Sequence, residues 1–279
     1  FQAEAAAQIA TEEIRAALAR LGPNRRLRIV IVAFESSVED AFREALAKMR
    51  RRVNEDLLEV LPIAVLDPML PGQRLSFSWG QLPTAIRPEL DRFGMVGVRL
   101  TTGGPVPLPC GVEVHVRSRR PAADPGEQQL EVVAGRRFRM PGSLQTVDAT
   151  RDDRGRPHLQ ASVQWVPDEP DRARQGELAM SRSLEPLVEE WLRLVRDGRE
   201  RIPGQMETVL EDLGPMPPAS ELTRRALWVC ALINPLPGLG VAYEIRPSAL
   251  VASTASKRLE IAKQGLQDSI ANLDGSRPL

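Results

Sequence analysis

The sequence predicts an α+β protein in which a strand-rich middle part is followed by a helical C-terminal part. Between residues 58 and 174, several short runs alternate apolar with polar residues, and turns such as Thr102–Pro105 separate them. Such runs are typical of strands with one buried face, and their number and frequent turns indicate a closed or nearly closed antiparallel barrel. Residues 175–279 instead repeat apolar residues at helical spacing. We therefore expect an N-terminal extension over 1–57, a β-barrel subdomain over 58–174 and a helical subdomain over 175–279.

The N-terminal extension is predicted to be a helix–strand–helix unit. Its first helix carries apolar residues at helical spacing up to Leu21, and the apolar and β-branched run Leu27–Phe34 predicts a buried strand. Ser36 and Glu39 have the spacing of a capping box, which opens a second helix. Because a helix–strand–helix has too few partners to be stable alone, we expect it to pack on the rest of the chain or on another protein.

The clearest strand signal in the middle part is Leu159–Trp165, which alternates apolar and polar residues until Pro167 stops it. The same alternation predicts further strands through Leu75, Phe77 and Trp79, through Val96, Val98 and Leu100, and through Val112, Val114 and Val116.

The helical part opens with a long apolar stripe and closes with another. Ser253 or Thr254 is placed to cap the last helix, whose stripe runs from Leu259 to Leu273. Several prolines keep the connections short, so we expect a compact bundle. The stripe of the first long helix consists of Leu184, Leu187, Val188, Trp191, Leu192 and Val195.

Several segments follow one another in an order that matches a known family. They are Leu61–Leu75 with its Leu-Pro and Leu-Pro-Gly, Arg92–Val98, Gly111–Val116, Leu130–Arg139 ending in Gly-Arg-Arg-Phe-Arg, Leu159–Pro170 ending in Trp-Val-Pro-Asp-Glu-Pro, Trp228–Pro237, Glu244–Pro247 and Lys257–Glu260. Together they resemble the N-terminal domain of the Lon protease family over about residues 58–275. The chain departs from the family at Phe77–Pro83, where the family has an aromatic-Glu-Pro-Arg-Tyr run.

The resemblance implies a PUA-like pseudo-barrel followed by a helical half, and a module that recognises exposed apolar segments of other proteins. The match ends before the family's ATPase and protease domains would begin, so the chain looks like a stand-alone member. The sequence begins at Phe1 rather than Met, so we expect a processed or trimmed form. A plastid or mitochondrial location after removal of a targeting segment is compatible with the family's known members.

The composition argues against nucleic-acid binding and against a membrane span. The 37 basic residues are balanced by 37 acidic ones, whereas nucleic-acid binders need a basic excess. The longest apolar run, near Ala226–Leu236, is too short to cross a bilayer.

The sequence offers no pattern that points to an enzyme, a cofactor or a metal. No phosphate-binding Gly-x-x-x-x-Gly-Lys-Ser/Thr is present. His115 and His158 are the only histidines, and neither has a second ligand at metal spacing. His115 alternates with valines and should face outward. Cys110 and Cys230 are far apart, which favours two reduced structural thiols over a disulfide.

We therefore predict a non-enzymatic protein-binding module. Apolar residues beside the Gly72 and Gly80 turns point to Phe77, Trp79 and Leu82, with Arg87 next to them, as contact residues in a groove between barrel and helices. The alternative is a structural accessory subunit of a larger assembly, which the N-terminal extension and the altered Phe77–Pro83 run favour.

Overall fold

The computed structural model describes residues 2–21, 37–46, 58–82, 90–121, 128–151, 155–166, 174–197 and 203–277. The chain divides into two compact units, Phe1–Glu59 and Val60–Leu279. No helix in the described part of the chain combines the length and the apolar character that a bilayer span requires.

Among the described residues of the first unit there are two helices, α1 (Gln2–Leu21) and α2 (residues 37–46). On α1, the Thr11 hydroxyl donates to the carbonyl of Ala7 at 2.9 Å, and both residues are buried. These helices lie where the sequence predicts them, and the predicted strand Leu27–Phe34 lies outside the described residues, so the helix–strand–helix unit stays a prediction.

The second unit begins with a mostly antiparallel sheet. Its seven strands follow the order β2-β7-β6-β3-β1-β9-β8, and β7 also pairs with β9, which joins β7, β6, β3, β1 and β9 into a ring. One pair departs from the antiparallel prediction, because β1 and β3 run parallel with Ile63 opposite Gly94. The likeness to PUA-type folds in particular stays a prediction. The strands are β1 (Glu59–Val65), β2 (Arg74–Ser78), β3 (Arg92–Val96), β6 (Cys110–Pro121), β7 (Gln128–Arg139), β8 (Gln145–Arg151) and β9 (Pro157–Trp165), with a separate hairpin of β4 (Val98–Thr101) and β5 (Gly104–Pro107).

The alternation in the sequence translates directly into the core of the sheet. On β9, Ala161 and Val163 are buried, and the residues between them are partly exposed. Where β3 and β6 run side by side, glycine is needed: a Cβ at Gly111 would lie 2.3 Å from the carbonyl oxygen of Met95 and 2.8 Å from the ring of Phe138.

In the described part of the second unit, five helices follow the sheet, and α5 forms the centre of their packing. Every residue of α5 is buried except Arg224, and α5 packs against both α3 and α7. The Trp191 indole on α3 donates to the Ser269 hydroxyl on α7 at 2.8 Å. Thr254 is the residue that caps α7, because its hydroxyl accepts from the Lys257 amide at 3.2 Å. The helices are α3 (Gln175–Arg196), α4 (Gln205–Leu213), α5 (Leu222–Ile233), α6 (Arg246–Val251) and α7 (Ala255–Leu273).

A buried glutamine connects the sheet to the helices. The Gln73 side chain, just before β2, donates to the carbonyls of Asn234 at 2.9 Å and Ala231 at 3.3 Å, at the C-terminal end of α5. Its carbonyl oxygen accepts from the Leu70 amide at 2.8 Å. Gln73 thus satisfies α5 carbonyls that have no partner within the helix.

Candidate protein-binding site

The predicted contact residues differ in how far their side chains are buried. Phe77 is 6% exposed and Leu82 is 2% exposed, and both belong to the hydrophobic core. The prediction that these two residues are surface contacts is therefore corrected, because their side chains pack inward and offer a partner almost no area. Trp79 is partly buried and packs against the same core. Arg87 lies outside the described residues, so a binding role for it, as for Trp79, stays a prediction.

The turn that carries Trp79 is held by an arginine from the start of β9. Trp79–Gln81 forms a short 3-10 helix. The Arg156 guanidinium donates through Nη1 to the carbonyl oxygens of Trp79 at 3.0 Å and Leu82 at 2.8 Å. These hydrogen bonds fix the backbone of the turn, so the turn is a rigid part of the sheet edge rather than a flexible contact loop.

A groove with an apolar floor lies among the helices, and we call it the α3–α5 groove. It has a volume of about 390 Å³ and lies between α3, α4, α5 and the segment that joins α4 to α5. Its lining residues are Glu185, Val188, Glu189, Leu192, Leu210, Gly214, Pro215, Met216 and Trp228.

Hydrogen bonds hold the walls of the α3–α5 groove in place. The Trp228 indole donates to the Gly214 carbonyl at 3.0 Å, which fixes the ring in the floor. The buried Arg225 guanidinium donates to the carbonyls of Ser181 at 3.1 Å and Pro217 at 2.7 Å, and so ties α3 to the segment after α4. The groove is therefore pre-formed, as ligand sites in proteins usually are.

The rim of the α3–α5 groove is acidic. Glu185 and Glu189 are both exposed and lie one turn apart on α3. The Glu185 carboxylate accepts from Nη2 of Arg225 at 3.0 Å and remains 63% exposed. Within the described part of the chain, the Glu189 carboxylate forms neither a hydrogen bond nor an ion pair.

A second groove, the α6–α7 groove, has a mixed charge. Its volume is about 530 Å³, and its lining includes Tyr243, which is 54% exposed. Its three charged lining residues are already paired, because Lys257 contacts Glu260 at 2.9 Å and Asp268 contacts Arg277 at 3.2 Å. The remaining lining residues are Ile245, Ser248, Ile261, Gln264 and Gly265.

A charged cluster on the sheet is satisfied internally. The Glu113 carboxylate accepts two hydrogen bonds from Arg136, at 2.9 and 3.1 Å, and one from Arg92 at 3.0 Å. Burial acts to raise the pKa of Glu113, but the hydrogen bonds and charge of Arg136, the hydrogen bond of Arg92 and the charge of His115 outweigh it and hold the pKa below its ordinary value. The Arg136 guanidinium also stacks on the Trp165 ring, 3.9 Å from its centroid. This arrangement keeps Glu113 ionised and fixed in place.

The two cysteines are free and buried, as the sequence predicts. Burial, the largest effect on each, raises the pKa of Cys110 to about 11 and that of Cys230 to about 12. Neither thiol is therefore activated as a nucleophile at neutral pH. Among the residues that the structure describes, no group of three His, Cys, Asp or Glu side chains is arranged to hold a metal ion.

Sequence reasoning missed the α3–α5 groove although its residues carried a signal. The sequence predicts that Trp228 is a core residue, and the structure confirms it, because the side chain is 7% exposed. Glu189 received no role because it is adjacent to Glu190 on a helix, and such neighbours do not form a paired-carboxylate site. The available signal was an acidic residue next to the apolar stripe of α3, together with Met216 between two prolines, where a partly exposed thioether is unusual.

No protein-family model matches the chain, and no curated protein matches it. Two Lon N-terminal domains are among the solved structures that are similar to it. One is a Lon N-terminal domain protein from Xanthomonas campestris, with 19% identity, 72% of this chain and 95% of that chain covered, and a TM-score of 0.43. The other is the N-terminal domain of the Lon protease of the Mycobacterium avium complex, with 14% identity, 75% of this chain and 99% of that chain covered, and a TM-score of 0.49.

Proposed function

We propose that the protein is a non-enzymatic binding module that takes exposed apolar segments of other polypeptides into the α3–α5 groove. The observation that carries the proposal is the pre-formed apolar lining of Met216, Leu192 and Leu210, whose walls are tied together by Arg225. The order of the Lon-like motifs in the sequence supports a protein-binding role.

The chemistry of the floor suits varied apolar partners. Met216, Leu192 and Leu210 are partly exposed and offer a partner apolar area, whereas Trp228 is 7% exposed and backs them with a fixed ring. A methionine is unbranched and polarisable, so it adapts to side chains of different shape. The combination favours recognition of apolar character rather than of one particular sequence.

The size of the groove predicts weak binding. Burying one side chain of the size of leucine contributes about 1.5–3 kcal/mol, so two anchors would contribute about 3–6 kcal/mol. Ordering the bound segment opposes this, and a Kd of about 1 mM corresponds to roughly 4 kcal/mol. We therefore expect affinities from high micromolar to millimolar for a single segment, as suits a module that binds many unfolded polypeptides transiently.

A peptide titration tests the proposal. The whole chain is added to a ten-residue peptide with a central Leu-Phe pair and neutral polar flanks, and binding is followed by the broadening of the peptide's NMR signals. We expect binding to the native chain and at least a five-fold loss for Met216→Asp, because the new carboxylate would have to be desolvated by the bound side chain.

Tyr243→Asp is the matched control, because it places the same charge in the α6–α7 groove. If Tyr243→Asp weakens binding and Met216→Asp does not, the site is the other groove. If the peptide's NMR signals stay sharp at a millimolar concentration of the native chain, the proposed client binding is wrong. It is also wrong if the chain, in a separate capture experiment, retains one partner at fixed stoichiometry.

A further inference from the structure

The α3–α5 groove pairs its apolar floor with carboxylates of one sign. Of the nine residues that line it, Glu185 and Glu189 are charged, and none is Lys or Arg. The chain as a whole has 37 basic and 37 acidic residues. The acidic rim is therefore a local feature and not a reflection of the overall charge.

The two rim carboxylates are not equivalent. Glu185 is partly neutralised by the buried Arg225, whose Nη2 lies 3.0 Å from its Oε2. The Glu189 carboxylate, one helical turn further along α3, has no such partner among the described residues. The uncompensated charge of the groove therefore lies at Glu189, next to Leu192 and Val188 in the lining.

We propose, on the basis of the proposed function, that the α3–α5 groove selects segments of unfolded polypeptides in which Lys or Arg lies within about two residues of the apolar anchor. A groove of about 390 Å³ is roughly 7 Å across, which is the length of two residues of extended chain. A basic side chain at that distance reaches the rim while the anchor covers the floor. Glu189 forms the ion pair, and the bound anchor shields that pair from water on one side.

The expected selectivity is modest but measurable. Exposed ion pairs change an equilibrium by about 1.4- to 5-fold, and reversal of one charge replaces an attraction by a repulsion. We therefore expect the native chain to bind a Lys-flanked peptide about two- to five-fold more tightly than a Gln-flanked one. A Glu-flanked peptide should bind more weakly than the Gln-flanked one by a similar factor.

The test uses three peptides that share the Leu-Phe anchor and differ in one flanking residue, which is Lys, Gln or Glu. Each is titrated with the whole native chain and with Glu189→Lys. We expect the order of affinities to reverse in the variant, so that the Glu-flanked peptide becomes the tightest. At molar salt the preference should shrink, because the Debye length falls to about 3 Å.

Glu190→Lys is the matched control, because Glu190 is the adjacent exposed residue of α3, is not part of the groove lining and points about 100° away around the helix. It changes the net charge by the same amount and should leave the order of the peptides unchanged. If Glu190→Lys reverses the order as well as Glu189→Lys does, the preference arises from the general field of the protein, and the proposed contact is wrong.

The outcomes separate this proposal from the function on which it rests. If the native chain binds all three peptides equally, the charge selectivity is wrong and the apolar binding stands. If it does not bind even the Gln-flanked peptide, the proposed function is wrong.

Discussion

Replacing Glu113 by glutamine should destabilise the second unit far more than the loss of an ordinary surface ion pair. The Glu113 side chain is 2% exposed and accepts hydrogen bonds from Arg136 and Arg92. Breaking a fully buried pair costs about 3–5 kcal/mol. Because the two arginines are 57% and 38% exposed and can regain water, we expect about 2 kcal/mol for Glu113→Gln.

The matched control is Asp91→Asn, which breaks the pair with Arg119 in the same unit. The Asp91 side chain is 83% exposed, so its loss should cost less than about 1 kcal/mol. Urea unfolding followed by circular dichroism measures both free energies. A loss of 2 kcal/mol corresponds to a fall in Tm of about 4–8 °C for a unit of this size. If Glu113→Gln is no more destabilising than Asp91→Asn, the cluster does not hold the strands as we argue.

The pH dependence of that difference provides a second test. The pKa of Glu113 lies below its ordinary value of 4.5 in the folded protein, so the unfolded state takes up the proton first as the pH falls. The stabilisation is complete above the unfolded pKa and is lost as the pH falls through the folded one. The free-energy gap between the native chain and Glu113→Gln should therefore be constant from pH 7 to about pH 5.5 and should shrink below about pH 4.5. A gap that widens in acid would refute this sign.

Two further predictions concern the interior. Burial holds the thiols of Cys110 and Cys230 protonated. A disulfide reagent at pH 8 should therefore label neither thiol within minutes in the native chain, and it should label both after unfolding in urea. Rapid labelling of the native chain would show that the core opens. Gly111→Ala should lower the free energy of unfolding by about 3 kcal/mol or more, because its Cβ would meet the Met95 carbonyl oxygen. Gly142→Ala, whose Cβ has open space, should be near neutral in the same urea titration.

The strands with the clearest alternation were predictable because their apolar residues recur at every second position and the same residues face the core. Leu159–Trp165 lies within the observed β9, and the alternating valines of β6 fill the core. The parallel pairing of β1 with β3 and the contact of β7 with β9 were not predictable in the same way. Both join strands far apart in sequence, and no local pattern specifies which edges meet.

Glu113 shows where alternation fails. It lies between two buried valines, so the pattern predicts that it faces water with His115. His115 is indeed about half exposed, but Glu113 is almost fully buried. The bulge between Val112 and Val114 shifts the register with β7, and the guanidinium groups of Arg92 on β3 and Arg136 on β7 lie against the carboxylate. Burial here comes from neighbours, which the sequence of one strand does not show.

The α3–α5 groove was missed for a related reason. Its walls depend on which side chains donate hydrogen bonds to backbone carbonyl oxygens that have no backbone donor. The chain contains 24 prolines, and a proline has a carbonyl group but no amide hydrogen to donate. Its loops therefore carry carbonyl oxygens with few nearby backbone donors, such as those of Pro217 and Leu82. In this protein arginine supplies the donors: Arg225 binds the Pro217 carbonyl, and Arg156 binds that of Leu82.

This use of arginine explains why the groove is both rigid and acidic. A guanidinium has five donors in one plane, whereas a lysine is a single flexible charge, and Lys48, Lys257 and Lys263 are the only lysines among the 37 basic residues. Because Arg225 uses its fork on the Ser181 carbonyl of α3, on the Pro217 carbonyl of the segment after α4 and on Glu185, it fixes the wall and neutralises one rim carboxylate with the same side chain. Among the residues that line the groove, Glu189 is then the one whose carboxylate remains available to pair with a charge on a bound partner. The selectivity that we propose thus follows from how a buried arginine is shared, which is a property of three-dimensional packing and leaves no periodic trace in the sequence.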